Sequence, residues 1–173
     1  MLLPSFYDFN ARFGEVQFFN KKLDAYLQSN SVNIWEPNIE ETCTVNGRQT
    51  NNLLELGDVS INSKLDDIKR RFEKQFSIGL EYVWVHYVCY NEGGRQDYHS
   101  HEHAEDLSCI LYLNTCEDGN TVFQLTPKLS VSKKPVRGKG VIFDSKTQHC
   151  AEVCTSNKKV LVLGFKLLLD SED

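Results

Sequence analysis

The second half of the chain alternates short strand-forming segments with turn residues, and this pattern restricts the possible folds more than any other feature. Residues 82–90 are rich in Val, Tyr and Trp, which favour β-strands. Segments of similar texture follow at residues 107–113, 121–125, 129–132, 140–143, 150–153 and 159–169. Gly and Asn lie between several of these segments, as expected for tight turns. A succession of short strands without intervening helices predicts a sandwich or a barrel.

Apolar residues recur at helical spacing in two stretches of the first 80 residues. They are Val16, Phe19, Leu23, Tyr26 and Leu27 in the first stretch and Leu65, Ile68, Phe72 and Phe76 in the second. Ser63 and Asp66 resemble the start of the second helix, because a hydroxyl and a carboxylate can accept hydrogen bonds from free amides. The polar residues 40–52 predict a loop. We therefore expect a helix that covers one face of the sheet.

The length of 173 residues suits a single domain with a hydrophobic core. The sequence contains neither a repeat nor a linker that would divide it. We predict one domain over residues 1–173, with a helical or irregular support at 1–80 and a β core at 81–169.

Charge and cysteine content narrow the class of partner and the compartment. The formal net charge is −5, and no Lys/Arg block indicates a nucleic-acid-binding face. No apolar run is long enough for a membrane span, and the N-terminus does not have the pattern of a signal peptide. The six cysteines are therefore expected to be free thiols, and we predict a cytoplasmic protein.

Histidines form the most informative cluster of polar residues. The chain has five, of which His99, His101 and His103 alternate within a few residues and His149 lies in a later strand segment. Alternation along a strand points every second side chain to the same face, so the three clustered imidazoles can converge. Converging imidazoles suit a divalent transition metal. His86 stands alone in an apolar strand, which predicts a packed or hydrogen-bonded histidine instead.

A mononuclear iron oxygenase needs three protein ligands on one face of the metal, usually His-x-Asp/Glu and a distant histidine. The sequence permits three registers for the first pair, which are His99 with His101, His101 with His103, and His103 with Glu105. The third register is the one that offers an acid. From the residues alone, the three alternatives stay open.

Several motifs occur in a characteristic order around the histidines. They are Tyr90-Asn91-Glu92-Gly93-Gly94, a strand that ends in Tyr112-Leu113-Asn114, a Gly-x-Thr-x-Phe segment at 119–123, and an apolar stretch at 138–143 that precedes His149. In this order they resemble the prolyl-hydroxylase-like branch of the 2-oxoglutarate/Fe(II)-dependent dioxygenases, and especially short phage-type members. The resemblance covers roughly residues 82–168.

This resemblance implies a fold and a metal site. The fold is mainly β with N-terminal helices around a double-stranded β-helix core of the jelly-roll or cupin type. Fe(II) would be held by His101, His103 and His149, with His99 and Glu105 as alternative ligands. In that register His103 stands where the family has an acid, so the site carries one negative charge less.

The resemblance also implies a binding site for the co-substrate 2-oxoglutarate. Lys159 stands ten residues after His149, where collagen-type prolyl hydroxylases have the basic residue that binds the far carboxylate of 2-oxoglutarate. Tyr112 and Tyr90 would assist it. Lys158 faces the opposite way along the strand and is the alternative. Strand parity adds Ile110, Val122, Phe123 and Val162 as candidates for an apolar pocket.

The implied activity is the oxidative decarboxylation of 2-oxoglutarate to succinate and CO2, coupled to hydroxylation of an unidentified amino acid, peptide or small molecule. Two other classes of protein remain as alternatives. One is a cupin that binds metal through His99, His101, Glu105 and His149 and does not use 2-oxoglutarate. The other is a non-catalytic metal-binding module.

Overall fold

Two helices lie against a curled antiparallel sheet in the computed structural model of the chain, which describes residues 5–29, 34–36, 43–101 and 105–168. The strands are β1 (Phe6–Asn10), β2 (Thr44–Gln49), β3 (Gly79–His99), β4 (Leu107–Tyr112), β5 (Thr121–Thr126), β6 (Leu129–Lys133), β7 (Lys139–Asp144), β8 (Gln148–Ala151) and β9 (Lys158–Leu168). The helices are α1 (Phe13–Ser29) and α2 (Val59–Phe76), and a short 3-10 helix spans Leu53–Leu56.

The strands form two walls that share β3. One wall has the order β1-β7-β4-β9-β3, the other continues as β3-β8-β5-β6, and β2 pairs with β3 at its side. Almost every connection along this order joins strands that are not consecutive in the chain, as expected for a jelly roll. The predicted fold class, a double-stranded β-helix with N-terminal helices, is confirmed.

Strand β3 belongs to both walls because it bends. A straight strand of 21 residues would be about 70 Å long, whereas a domain of this size is about 40 Å across. The first part, from Gly79 to Tyr90, pairs with β9, and Gln96 and His99 pair with β8. Between them Gly93 has a φ of 81°, a value that glycine adopts without strain. The motif noted ahead of the histidines is therefore the bend that carries the chain from one wall to the other.

Helix α2 covers the outer face of the first wall with the apolar stripe that its periodicity predicts. Leu65, Ile68, Phe72 and Phe76 are all buried, which confirms the stripe. The predicted helix start was wrong, because α2 begins at Val59, ahead of Ser63 and Asp66. The Asp58 side chain accepts hydrogen bonds from the amides of Ser60 and Ile61, so the first turn is already capped.

Two strands were missed in the sequence. Strand β2 lies inside residues 40–52, where we predicted a loop, and β1 lies in the region predicted to be helical or irregular. Both are short, and their apolar patterns are weak. β1 pairs with β7 and β2 pairs with β3, so their strand conformation depends on partners far away in the sequence.

Strand β9 separates two apolar clusters. Leu161, Leu163 and Phe165 pack towards the helices, where Phe19 and Phe72 belong to the same cluster. Val160 belongs to a second cluster between the two walls, with Val88, Ile110, Phe123 and Phe143. Successive residues of β9 therefore face the helices and the space between the walls in turn.

All six cysteines are free thiols in the structure, as predicted. Among the described residues, neither α1 nor α2 combines the length and the apolar character that crossing a membrane requires.

Candidate metal centre

Three histidines converge where β3 and β8 pair. His99 and His149 are partners across the two antiparallel strands, so their side chains leave the same face of the sheet. His101 follows β3, and its backbone N–H donates a hydrogen bond of 2.9 Å to the Ser145 carbonyl, which holds this end of the chain in place. One nitrogen from each of the three rings lies within 4.8 Å of the other two.

The Nδ1 atoms of these rings are turned towards acceptors. His99 Nδ1–H donates to the Asp97 carbonyl at 2.7 Å, and His149 Nδ1–H donates to the Thr147 carbonyl at 2.9 Å. Because a carbonyl can only accept, the proton of each neutral ring is on Nδ1 and the lone pair is on Nε2. His101 Nδ1 lies 3.4 Å from the carboxylate oxygen Oε1 of Glu105, which favours the same tautomer. This arrangement presents Nε2 lone pairs, the form in which imidazole binds metals.

Burial keeps the three imidazoles neutral. Together with the nearby His99 ring, it lowers the pKa of His149 to about 3. Burial lowers the pKa of His101 to about 4, with contributions from His99 and His86. Burial also lowers the pKa of His99. At neutral pH the cluster carries no positive charge that would repel a cation.

The cluster fits a transition metal. A divalent ion binds imidazole nitrogen at about 2.1 Å, so two ligands of one ion are at most about 4.2 Å apart. The observed limit of 4.8 Å is within reach of small ring movements. Three imidazoles from one side leave the opposite side of the ion open to other ligands.

The three ligand pairs predicted from the sequence differ in how they compare with the structure. His99, His101 and His149 come together, which is the first of the three registers. His103 belongs to residues 102–104, which lie outside the described part of the chain. Glu105 is near His101 but is not part of the group of converging ligand atoms, so the four-residue cupin set is not assembled in the described residues.

A cavity of about 190 Å³ opens beside the histidines, between the two walls. Its lining residues are Gln49, Trp84, His86, Val88, Gln96, His101, Ser108, Cys109, Ile110, Phe143, His149 and Val162. Ile110 and Val162 were predicted for the pocket, whereas Val122 and Phe123 do not line this cavity. Apolar side chains such as Val88, Ile110 and Val162 line the cavity together with His101 and His149, and such a mixture is usual for small-molecule sites.

Trp84 and His86 are parts of this site that the sequence analysis did not assign to it. The Trp84 ring lies 5.3 Å from the His101 ring and 5.4 Å from the His86 ring. His86 is also hydrogen-bonded, as predicted, through Nδ1 and the Thr50 carbonyl at 2.7 Å. Gly164 in β9 makes room for the indole, because a Cβ atom at position 164 would lie 2.4 Å from it. A glycine inside an apolar strand is a signal of such close approach.

The two lysines at the start of β9 face opposite sides. Lys159 does not reach the cavity, and its Nζ pairs with Asp24 of α1 at 2.9 Å. Lys158 is 1% exposed and points between the walls. Its Nζ donates to the Gly119 carbonyl at 2.7 Å and lies 4.4 Å from the centre of the Tyr90 ring. The prediction that placed Lys159 inside the barrel needs correction, because alternation along β9 turns Lys158 inward and Lys159 towards the helices.

Tyr90 and Tyr112 lie at this same inner end and belong to one apolar cluster with Val88 and Ile110. Tyr112 Oη donates to Thr121 Oγ1 at 2.7 Å, and burial raises the pKa of Tyr112 to about 12. Tyr90 Oη donates to Gln96 Oε1 at 3.2 Å, and Gln96 lines the cavity. Burial lowers the pKa of Lys158, and the nearby groups Cys154, Cys116 and Asp118 oppose this shift. Polar groups therefore connect the cavity to a buried lysine.

The fold is similar to that of solved prolyl hydroxylases and α-ketoglutarate-dependent enzymes. A prolyl-4-hydroxylase from Pseudomonas putida superposes with a TM-score of 0.74 at 16% identity, over 94% of this chain and 92% of that one. A Trichoplax adhaerens prolyl hydroxylase, solved with a hypoxia inducible factor peptide, superposes with a TM-score of 0.72 at 13% identity, over 94% of this chain and 83% of that one. A non-heme α-ketoglutarate-dependent carbocyclase from nogalamycin biosynthesis superposes with a TM-score of 0.72 at 13% identity, over 93% of this chain and 79% of that one.

At these identities the likeness is one of fold. Compared with models of known protein families and with curated proteins, the sequence gives no match. The resemblance noted in the sequence thus has its support in the three-dimensional arrangement of the strands.

Proposed function

We propose that this chain is a 2-oxoglutarate- and Fe(II)-dependent oxygenase that hydroxylates an organic substrate and releases succinate and CO2. The observation that carries the proposal is the convergence of His99, His101 and His149 beside a cavity, within the fold that such oxygenases share. The three rings are neutral, and Nδ1 hydrogen bonds turn the Nε2 lone pairs of His99 and His149 to the common side.

The metal would be held by Nε2 of His99, His101 and His149. We propose this set in place of the predicted His101, His103 and His149, because His99 belongs to the converging group and His103 lies outside the described residues. Bound Fe(II) would supply the redox chemistry by which one oxygen atom of O2 enters succinate and the other enters a C–H bond of the substrate. The protein's residues would orient the co-substrate, exclude water and leave coordination positions open.

Lys158 is our candidate for binding the far carboxylate of 2-oxoglutarate. It is a buried cation whose ammonium contacts a carbonyl and an aromatic ring and no carboxylate among the described residues. The Asp118 carboxylate attracts this ammonium without forming an ion pair with it. Burying a charge without a directly paired counter-charge is costly, and an anionic ligand would offset that cost. Tyr112 and Tyr90, at the same end of the barrel, would add hydroxyl groups. Val88 and Ile110 connect this end to the cavity and would contact the methylene carbons.

The fold serves more than one kind of substrate. One structural neighbour was solved with a peptide, and another comes from nogalamycin biosynthesis. For this chain we propose a peptide or small molecule that reaches the metal from the open side of the cavity. The cytoplasmic location remains a prediction from the sequence.

The test is anaerobic titration of 2-oxoglutarate into the Fe(II)-loaded protein, followed by visible absorption. We expect a weak metal-to-ligand charge-transfer band as the 1-carboxylate and 2-keto oxygen bind the iron. The His149→Ala variant should lose both the iron and the absorption band. The matched control is His86→Ala, at a cavity histidine outside the ligand set, and this variant should keep its iron. Absence of the band from iron-loaded wild type would contradict the proposal and favour the cupin class.

A further inference from the structure

Of the three rings in the histidine cluster, His101 is the one whose Nδ1 faces a carboxylate. The acceptors of His99 and His149 are backbone carbonyls. At His101 the neighbour is Oε1 of Glu105, four residues further along the chain and 3.4 Å away. A carboxylate is a stronger acceptor than a carbonyl and carries a charge, so this ring has a different environment from the other two.

Glu105 is held where a carboxylate is costly. Its side chain is 2% exposed, and Oε1 has no hydrogen-bond partner within the described residues. Burial raises the pKa of Glu105, while polar contacts of its carboxyl group with the Trp84 and Ser108 side chains oppose that rise. An unsatisfied buried oxygen normally destabilises a protein, so its position next to an imidazole N–H needs an explanation. At 3.4 Å the contact is longer than an ordinary hydrogen bond, so a small movement of the two side chains towards each other is needed to form one.

The side of the ring that Glu105 occupies decides what it can do. Oε1 approaches Nδ1, whereas the proposed metal ligand atom is Nε2 on the other side of the imidazole. Glu105 is also absent from the group of ligand atoms that lie within 4.8 Å of one another. It therefore acts on His101 rather than alongside it.

We propose that Glu105 is a positioning residue for His101, accepting a hydrogen bond from Nδ1–H and so directing Nε2 towards the metal. This inference rests on the metal site proposed above. Three imidazoles bring no negative charge to a divalent ion. Glu105 supplies a negative charge that only the His101 ring would separate from the metal. Carboxylates that accept from a ligand histidine orient the ring and make it a better donor, and their loss commonly lowers metal affinity by 10- to 100-fold.

The experiment compares Co(II) binding by calorimetry, and the visible d–d spectrum of bound Co(II), in wild type and three variants. Glu105→Gln keeps the shape and an acceptor oxygen but removes the charge, and Glu105→Ala removes both. Asp106→Asn is the matched control, because it removes an exposed carboxylate that bonds the Leu167 amide and no histidine. Thermal unfolding of the metal-free proteins shows whether each variant folds.

We expect Glu105→Gln to lower Co(II) affinity by about tenfold, Glu105→Ala by up to about 100-fold, each with a shifted d–d spectrum, and Asp106→Asn to match wild type. Wild-type affinity and spectrum in both Glu105 variants would overturn the proposal, even if their metal-free stability falls. A loss in Glu105→Ala as complete as that of the ligand variant His149→Ala, measured in parallel, would also overturn it, because Glu105 would then be a direct ligand. Failure of wild type to bind Co(II) would instead overturn the proposed metal site.

Discussion

Lys158 and Lys159 illustrate how one step along a strand separates a buried site residue from a surface residue. The two side chains have the same charge and length and are adjacent in the sequence. Lys158 nevertheless lies between the walls, and Lys159 pairs with Asp24. Counting from His149 did not distinguish them, because residues 152–157 are not a regular strand and do not preserve parity. The pairing of Tyr90 with Lys158 across β3 and β9 is what settles their orientation.

Replacing each lysine with methionine gives a matched pair of variants. Lys158→Met should raise the apparent Kd for 2-oxoglutarate by roughly 10- to 100-fold, because a hydrogen bond to a charged group contributes about 1.5–3 kcal/mol. Lys159→Met should leave that Kd unchanged. The charge-transfer titration measures both values. An effect in Lys159→Met, with none in Lys158→Met, would return the role to Lys159.

Parity did predict that His99 and His101 share a face, but it could not choose the register. That choice depends on where β3 ends and which residue of β8 it meets, and the irregular pairing between Gln96 and His99 changes the count. Trp84 and His86 were unassigned for a related reason. Aromatic residues in an apolar strand resemble ordinary core, and their place in a cavity wall appears once both walls are known.

At the scale of single elements, β9 shows how a residue without a side chain shapes the site. Gly164 lets the Trp84 indole cross the strand, and Trp84 in turn packs on His101. Helix α2, by contrast, was predicted well because its apolar stripe repeats over many residues. Strands β1 and β2 were missed because short strands take their conformation from partners that the local sequence does not reveal.

Gly164→Ala should displace Trp84 and destabilise the protein. A Cβ 2.4 Å from the indole forces side-chain and backbone shifts, which typically cost about 1–3 kcal/mol of unfolding free energy. Gly14→Ala is the control, because no atom lies within 4 Å of its new Cβ and alanine is the better helix former. Urea unfolding measures both. Equal stability of Gly164→Ala and wild type would show that Trp84 does not need this space.

For the molecule as a whole, the order of strand-forming segments was enough to predict a closed β fold with helices on one side. The division at residue 80 remains a prediction, although β1 and β2 show that the first 80 residues also contribute strands. What the sequence could not supply was the way the walls meet, since this depends on pairings between strands far apart in the chain.

Co-substrate binding should stabilise the whole fold only when metal is present. At 100 times its Kd, 2-oxoglutarate should add about 2.7 kcal/mol to the unfolding free energy of the Ni(II)-loaded protein, because ligand bound to the native state shifts the equilibrium. Thermal unfolding with and without Ni(II) measures this difference. Equal stabilisation of the metal-free protein would mean that 2-oxoglutarate binds elsewhere.

The path of β3 through both walls has a mechanical consequence. A single covalent chain ties the two walls together, and its hydrogen bonds to β9 and β8 would have to break before the walls could part. Motions that would separate the two walls are therefore restricted along β3. Substrate and product would instead enter and leave through the end of the barrel. Amide hydrogen exchange along β3 should be among the slowest in the protein.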